Sequence, residues 1–219
     1  IGVKAAYSGK CGDNLTWTFQ ESTGVLKISG TGIMSFSGEP APWSDYSSKI
    51  LKVEIGDDIT NIEHGAFQDC INLTSVSLSN GIINIGGYAF SGCINLSEVE
   101  LPQSIKKVDE FAFGNCAFRN LHVPASLTEI GDGAFAVACG LLHISVDENN
   151  PVYDDGGYSN GIFETTTNTL VTGGINTIIP ETITIIGNNA FQNCTDMTSI
   201  DLHNNITQIG KGAFGYCSN

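Results

Sequence analysis

The sequence predicts a β-rich solenoid of stacked coils, on two observations. The motif Ala-Phe-x-x-Cys recurs, with Ala-Phe pairs at Ala66-Phe67, Ala89-Phe90, Ala112-Phe113, Ala134-Phe135, Ala190-Phe191 and Ala213-Phe214, spaced by 23, 23, 22, 56 and 23 residues. The apolar residues around each pair also keep a fixed offset from it. A period between 20 and 29 residues with apolar positions in phase is the signature of a leucine-rich repeat solenoid.

Each element of the coil follows from that register. Four residues before each Ala stands a β-branched residue: Ile62, Ile85, Val108, Ile130, Ile186 or Ile209. Three residues earlier comes Ile59, Ile82, Ile105, Leu127, Ile183 or Ile206. Before these lie alternating apolar pairs, Val53/Ile55, Val76/Leu78, Val99/Leu101, Leu121/Val123 and Ile200/Leu202. Alternation of period two marks a short strand with one buried face. A coil is therefore expected to run through a strand, a turn, a second extended stretch, and a compact or helical turn carrying Ala-Phe and Cys. No coil buries its apolar side alone, so coils must stack and the ends need caps. At about 4.8 Å between stacked strands, seven coils make a rod roughly 30 Å long. Glycines after the second β-branched residue, Gly86, Gly131, Gly187 and Gly210, are expected to ease a corner.

The register assigns the interior. Phe67, Phe90, Phe113, Phe135, Phe191 and Phe214 should form one ladder, and Cys70, Cys93, Cys116, Cys139, Cys194 and Cys217 another. Parallel cysteines at strand spacing sit beyond the Cβ separation of about 3.8 Å that a disulfide prefers, so they are read as small buried hydrophobes; disulfide bonding and metal binding are the alternatives. Cys11 has no repeat partner and is read as a lone thiol.

Two regions leave the pattern. Residues 1–48 form an N-terminal capping β segment: Leu15, Trp17 and Phe19 alternate, Ser22-Thr23-Gly24 turns, and Val25, Leu26 and Ile28 return as a β-hairpin. Trp17, Trp43 and Tyr46 are read as cap core, with a sugar-stacking platform as the alternative. Residues 49–219 are the solenoid, of about seven coils, interrupted by an irregular 33-residue coil at 146–179. There Asn149-Asn150-Pro151 and Asp154-Asp155-Gly156-Gly157 read as turns, and Ile162-Phe163 and Leu170-Val171 flank Thr165–Asn168 as a small hairpin. Asp147, Glu148, Asn149, Asp154 and Asp155 gather oxygen ligands, but match no calcium-loop spacing, so they are read as turn residues.

Composition narrows the function. Apolar content of 41% with 15% charged residues excludes a disordered chain, and no apolar run approaches a membrane span. A net charge of -14 argues against nucleic acid and anionic membranes as partners. Residues 1–10 lack the apolar core of a signal peptide. The chain ends within a coil at Cys217-Ser218-Asn219, where either a fragment boundary or a further segment is expected.

Ile82 to Leu101 (IINIGGYAFSGCINLSEVEL) and Ile183 to Leu202 (ITIIGNNAFQNCTDMTSIDL) resemble BspA-type leucine-rich repeats, also called the Treponema pallidum type. The insertion opening Val146-Asp147-Glu148-Asn149-Asn150-Pro151 is similar to the longer irregular repeat of such proteins, and Cys11 to Trp43 to a region often found ahead of the repeats. With the register, this gives a leucine-rich repeat solenoid: a β-rich right-handed superhelix with short helical turns and an N-terminal β-hairpin cap. The resemblance implies a secreted or cell-surface protein of host-associated bacteria or protozoa, its signal peptide removed, active in adhesion and coaggregation. It supplies no catalytic motif and no fixed ligand-contacting residues.

The expected function is a non-enzymatic binding module for a protein partner, monomeric and without cofactor. A spacer within a larger surface protein and a glycan-binding module are the alternatives. Outward positions of the first strand are the candidate contacts: Glu98, Glu100, Asn120, His122, His143, Ser145 and Asp201. In-register stacking would set Glu100 beside His122, and Glu98 beside Asn120, itself beside His143. Two carboxylates and two imidazoles there suit metal binding or pH-dependent adhesion as the alternative to a plain solvated face. Gly-x-Ser-x-Gly, a phosphate-binding glycine loop and His-Glu-x-x-His are all missing. Sequons such as Asn72-Leu73-Thr74 and Asn95-Leu96-Ser97 arise from the repeat itself.

Overall fold

The computed structural model describes residues 6–36, 38–137, 140–157 and 159–218. Its strands in chain order are β1 (Ala6–Gly12), β2 (Leu15–Gln20), β3 (Val25–Gly30), β4 (Gly32–Ile33), β5 (Lys52–Ile55), β6 (Ile59–Ile62), β7 (Ser75–Ser77), β8 (Asn84–Ile85) and β9 (Lys107–Val108). They continue with β10 (Asn120–Val123), β11 (Glu129–Ile130), β12 (His143–Val146), β13 (Tyr153–Asp154), β14 (Gly161–Glu164), β15 (Thr169–Gly173), β16 (Ile185–Ile186) and β17 (Gln208–Ile209). The one helix among the described residues is a 3-10 helix, Ser44–Lys49. The chain winds as a β-solenoid of about eight turns.

The predicted register sets the strand pairing. On the second extended stretch Ile62, Ile85, Val108 and Ile130 pair in parallel through β6, β8, β9 and β11, all pointing inward or nearly so. On the first, Val53 of β5 pairs with Val76 of β7, and Leu121 of β10 with Ile144 of β12. A strand was expected in every coil, but residues 97–101 and 197–203 form none, so β7 and β10 lie in separate sheets.

The Ala-Phe segments are tight turns that make a third ladder between coils. The N–H groups of Gly65, Phe67 and Asp69 donate to the carbonyls of Gly87, Ala89 and Ser91 in the next coil, at 2.7–2.9 Å. Aiming alternate amides along the stack needs a left-handed residue on each side of the pair. The residue before Ala has positive φ in each such turn: Gly65, Tyr88, Phe111, Gly133, Asn189 and Gly212. So does the second residue after Phe at Asp69, Gly92, Asn115, Asn193 and Tyr216. The corner glycines do something else. A Cβ on Gly86 would sit 2.7 Å from His64 N, and one on Gly131 2.4 Å from Glu110 N. Close backbone approach between coils, not a left-handed corner, requires glycine there.

Inside, the aromatic ladder is continuous from Trp43 to Phe135. Trp43 stacks on Phe67 (ring centroids 5.4 Å), Phe67 on Phe90 (5.1 Å), Phe90 on Phe113 (5.3 Å) and Phe113 on Phe135 (5.8 Å). Trp43 is fully buried and donates its indole N–H to Ala66 O at 2.8 Å. The thiols lie beside this ladder. Cys93 donates to Phe67 O and Cys116 to Phe90 O, each at 3.2 Å, and Cys217 to Phe191 O at 3.1 Å. Cysteine thus packs as a small hydrophobe and ties its coil to the one before. Burial pushes the thiols of Cys70, Cys116 and Cys194 up to about 12 and that of Cys93 higher still. Cys139 lies outside the described residues.

At the N-terminus the expected hairpin β2–β3 gains a third antiparallel strand, β1, pairing Tyr7 with Phe19 and Gly9 with Trp17. β3 then pairs in parallel with β5, Leu26 beside Val53, which joins the cap to the solenoid sheet. Cys11 is a free buried thiol facing this core, and burial raises its pKa to about 11.

The irregular coil builds its own antiparallel sheet. β14 and β15 form the expected hairpin, β13 adds to β14, and β15 resumes the stack by setting Leu170 beside Ile186. Gly173 occupies the slot that Phe fills elsewhere: its N–H donates to Ala190 O at 2.8 Å, as Phe67 does to Ala89, and its carbonyl faces the Cys194 thiol at 3.8 Å. A Cβ on Gly173 would be 2.0 Å from the Phe191 ring. The interior divides here, one cluster ending at Ile162 and the other beginning at Phe163.

Candidate binding surface

The outward residues of β10 and β12 are set side by side by four parallel residue pairs. Leu121, Val123 and Ile144 point in, so Asn120, His122 and His143 point out, as period two requires. Asn120 pairs with His143 and His122 with Ser145, and His122 Nδ1 lies 3.0 Å from Ser145 Oγ. Beside them Asp147 takes two hydrogen bonds from Asn149, from its backbone N–H at 2.9 Å and its side-chain amide at 3.1 Å. Those bonds, with His122 adding a smaller charge effect, hold the Asp147 carboxyl below its ordinary value.

The irregular coil finishes this surface. Among the described residues no further strand pairs with the outer edge of β12, and side chains satisfy it instead: Ile144 N–H donates to Asn160 Oδ1 at 2.7 Å and Val146 N–H to Asp155 Oδ2 at 3.4 Å. An edge strand closed by side chains offers no template for another chain. A cleft of 540 Å³ opens between His143, Ser145, Asp155, Asn160 and Asn176.

The other candidate residues stand apart. Glu98 and Glu100 are exposed on residues 97–101, which leave the sheet, so no strand pairing ties them to Asn120 or His122. Asp201 is exposed beyond the irregular coil, in a depression with Ser199, Glu181 and His203. The acidic residues of the insertion are taken up by turns: Asp154 Oδ1 accepts from Gly156 N–H, and Asp155 Oδ1 from Gly157 N–H. Among the described residues no group of three or more His, Cys, Asp or Glu converges as a metal site would need. The sequons are structural too, since the amides of Asn72 and Asn95 donate to the preceding coil at Ser48 O and Ile71 O.

The opposite side carries a feature the sequence reading passed over. Tyr88 and Phe111 stand at the left-handed position before Ala and stack on each other at 5.4 Å, with His64 against Tyr88 at 5.5 Å. The signal was available: aligned on Ala, that column reads Gly, Tyr, Phe, Gly, Asn, Gly, and bulky residues are rare where the backbone turns left-handed.

A nearly continuous parallel ladder on the second extended stretch, shorter parallel pairings on the first, and a ladder of hydrogen-bonded turns on the third side define a leucine-rich repeat protein. The chain belongs to the BspA type leucine rich repeat family, whose repeat region matches in six copies over residues 45–169 and 171–219. No curated protein matches the sequence. Among solved structures, a leucine-rich repeat protein from Eubacterium ventriosum is similar, with a TM-score of 0.73 and 23% identity over 96% of this chain and 63% of that one. The pneumococcal vaccine antigen PcpA is similar at TM-score 0.61 and 15% identity, over 99% of this chain and 69% of that one. A leucine rich cell surface protein from Faecalibacterium prausnitzii follows at 0.50 and 19%, over 97% and 74%. The chain spans less than two thirds of the Eubacterium structure, and at these identities the likeness concerns the fold. No helix among the described residues is long and apolar enough to cross a membrane.

Proposed function

We propose that this chain is a non-enzymatic adhesion module, secreted or displayed at the cell surface, that binds a protein partner as a monomer through the face of β10 and β12. The carrying observation is the in-register array of Asn120, His122, His143 and Ser145 over a fully packed layer. The backbone fixes where these side chains leave the sheet and the His122–Ser145 contact holds one of them in place, which lowers the ordering cost of binding. A surface location is supported by the description of the Faecalibacterium structure as a cell surface protein. Protein is favoured over glycan because Trp17 and Trp43, the rings that would stack on a sugar, are packed inside the cap. A panel of purified extracellular-matrix proteins and a glycan array, read by surface plasmon resonance, tests this. Binding to a matrix protein that falls at least tenfold in Asn120→Ala/His122→Ala/His143→Ala is the expected result. Silence across both panels favours the spacer reading, and glycan-only binding overturns the choice of ligand.

A further inference from the structure

The corner between the second strand and the Ala-Phe turn is built differently in the first coils than elsewhere. Two clefts meet there at His64. One, of 530 Å³, lies between the connector at Glu39 and Trp43 and the turn at Gln68 and Asp69. The other, of 410 Å³, has a glycine floor, Gly87 and Gly131, with His64, Asp109, Glu110 and Asp132 as walls. The floor is fixed by contact: a Cβ on Gly87 would come within 3.2 Å of His64 Nδ1 and 3.3 Å of Glu110 Cγ. The pile of His64, Tyr88 and Phe111 runs alongside, half-exposed at Tyr88 and Phe111.

The charge of this groove is one-sided. Glu39, Asp69, Asp109, Glu110 and Asp132 line the two clefts, and no Lys or Arg does. Lys107 engages Asp109 from the side at 3.1 Å, and Asn188 donates to Asp132 at 3.0 Å. The carboxylates of Glu39 and Glu110 have no hydrogen-bonding or ionic partner among the described residues. Lysine and arginine carry an aliphatic stem that packs on apolar surface and a head that seeks carboxylate. An aromatic strip beside unpaired carboxylates fits both ends of such a side chain, and the groove is open along its length rather than closed around a small cation.

We propose that this corner is a second interaction surface, a groove that takes an extended lysine- and arginine-rich segment of a protein partner. The stems lie along the Tyr88–Phe111 pile and the heads reach Glu110 in one cleft and Glu39 and Asp69 in the other. The proposal is independent of the strand-face reading, because the two surfaces share no residue.

The test uses a fluorescein-labelled peptide of alternating arginine and glycine, a lysine version and a glutamate version, measured by fluorescence anisotropy at 50 mM and 300 mM salt. Tyr88→Gly is the informative variant, since glycine already occupies the equivalent slot at Gly65, Gly133 and Gly212, so the fold is kept while the strip is broken. The expected result is binding of the two basic peptides, weakened at least fivefold by Tyr88→Gly and at least tenfold by Glu39→Gln/Asp69→Asn/Glu110→Gln. A charge-matched control, Asp13→Asn/Asp58→Asn/Glu148→Gln, at exposed positions that line neither cleft, should leave it unchanged. Equal weakening by both triple variants overturns the groove in favour of the bulk negative field, as does unchanged affinity in Tyr88→Gly. Tighter binding of spermine than of the peptides assigns the site to a small polyamine, and absence of binding at 50 mM salt removes the proposal.

Discussion

From Trp43 to Phe135 every coil offers its neighbour an aromatic ring at 5.1–5.8 Å, whereas in the coil spanning 146–179 the equivalent slot holds Gly173, with the Phe191 ring pressed over it. Both arrangements bury the coil, by different means. The regular coils repeat one shape, so one packing solution serves each interface. The irregular coil folds a local three-stranded sheet, and side chains rather than strands close its joints: Tyr153 OH accepts from Ile130 N–H at 3.0 Å, and Asn160 and Asp155 cap β12. The turn face bridges the gap above it, where Asn193 Nδ2 donates to Asn115 Oδ1 at 2.9 Å and Arg119 meets Asp196 at 3.5 Å, pairs 78 and 77 residues apart. Repetition gives a uniform core, and interruption trades that core for specific polar joints.

The largest expected effect breaks the uniform side. Phe113 touches Phe90, Phe135 and Phe118, all buried, and Phe113→Ala should cost about 3–5 kcal/mol, since loss of a packed ring leaves a cavity that stacked coils cannot close. Phe214, half-exposed with Phe191 as its one ring neighbour among the described residues, should cost less than half as much on truncation. Urea unfolding followed by circular dichroism measures both, and equal losses would mean that the ladder is not the source of stability.

The next effect tests whether the two clusters are separable. Gly173→Ala forces a methyl into the Phe191 ring, and overpacking of this kind costs about 1–3 kcal/mol. Since the interior divides between Ile162 and Phe163, the loss should fall on one side. Hydrogen exchange should quicken across 185–217 and stay slow across 59–137. A uniform change would show one cooperative unit despite the divided core.

A comparable cost attaches to a single polar joint. The Asn150 amide donates to Pro124 O and Leu127 O, both at 2.8 Å, and its carbonyl oxygen accepts from the N–H groups of Val152 and Tyr153. Asn150→Ala leaves those backbone groups unpaired and should cost about 1–3 kcal/mol. If melting temperature is unchanged, water replaces the side chain and the joint is not structural.

What could be read from the sequence follows the same division. Fixed offsets placed the strands at Val53, Leu121 and Ile62 and the stacked rings from Phe67 to Phe135, because one packing solution repeated many times leaves a statistical trace; the turn at Thr165–Asn168 was legible from its own local residues instead. The side-chain joints left none: Asn160 and Asp155 cap an edge from 16 and 9 residues away, each once. Loss of strand pairing at 97–101 was equally hidden, since Val99 and Leu101 alternate as well as Val76 and Leu78 do. On the candidate surface the pairs Asn120–His143 and His122–Ser145 follow from counting 23 residues; the separation of Glu98, Glu100 and Asp201 from them does not.

The smallest effect concerns the thiols, where the two regions differ in one bond. Cys93 donates to Phe67 O at 3.2 Å, but Cys194, whose preceding coil has Gly173 in the Phe slot, reaches its carbonyl only at 3.8 Å. Cys93→Ala should therefore cost about 1 kcal/mol, roughly one hydrogen bond with a weak donor, and Cys194→Ala less. The same burial sets a pH dependence with a definite sign. Desolvation raises the folded pKa of Cys70, Cys116 and Cys194 from the ordinary 9.0 to about 12, so the folded state binds more protons than the unfolded one in that window. Stability is fully present below pH 9 and declines as pH rises toward 12. Titrating stability with urea from pH 8 to pH 11 in wild type and Cys70→Ala/Cys93→Ala/Cys116→Ala should show a shallower decline in the variant. Thiol labelling at pH 8 should modify half-buried Cys217 first and the ladder cysteines only as fast as the coils open; rapid labelling of Cys93 in the native state would place the ladder at the surface and undo the comparison.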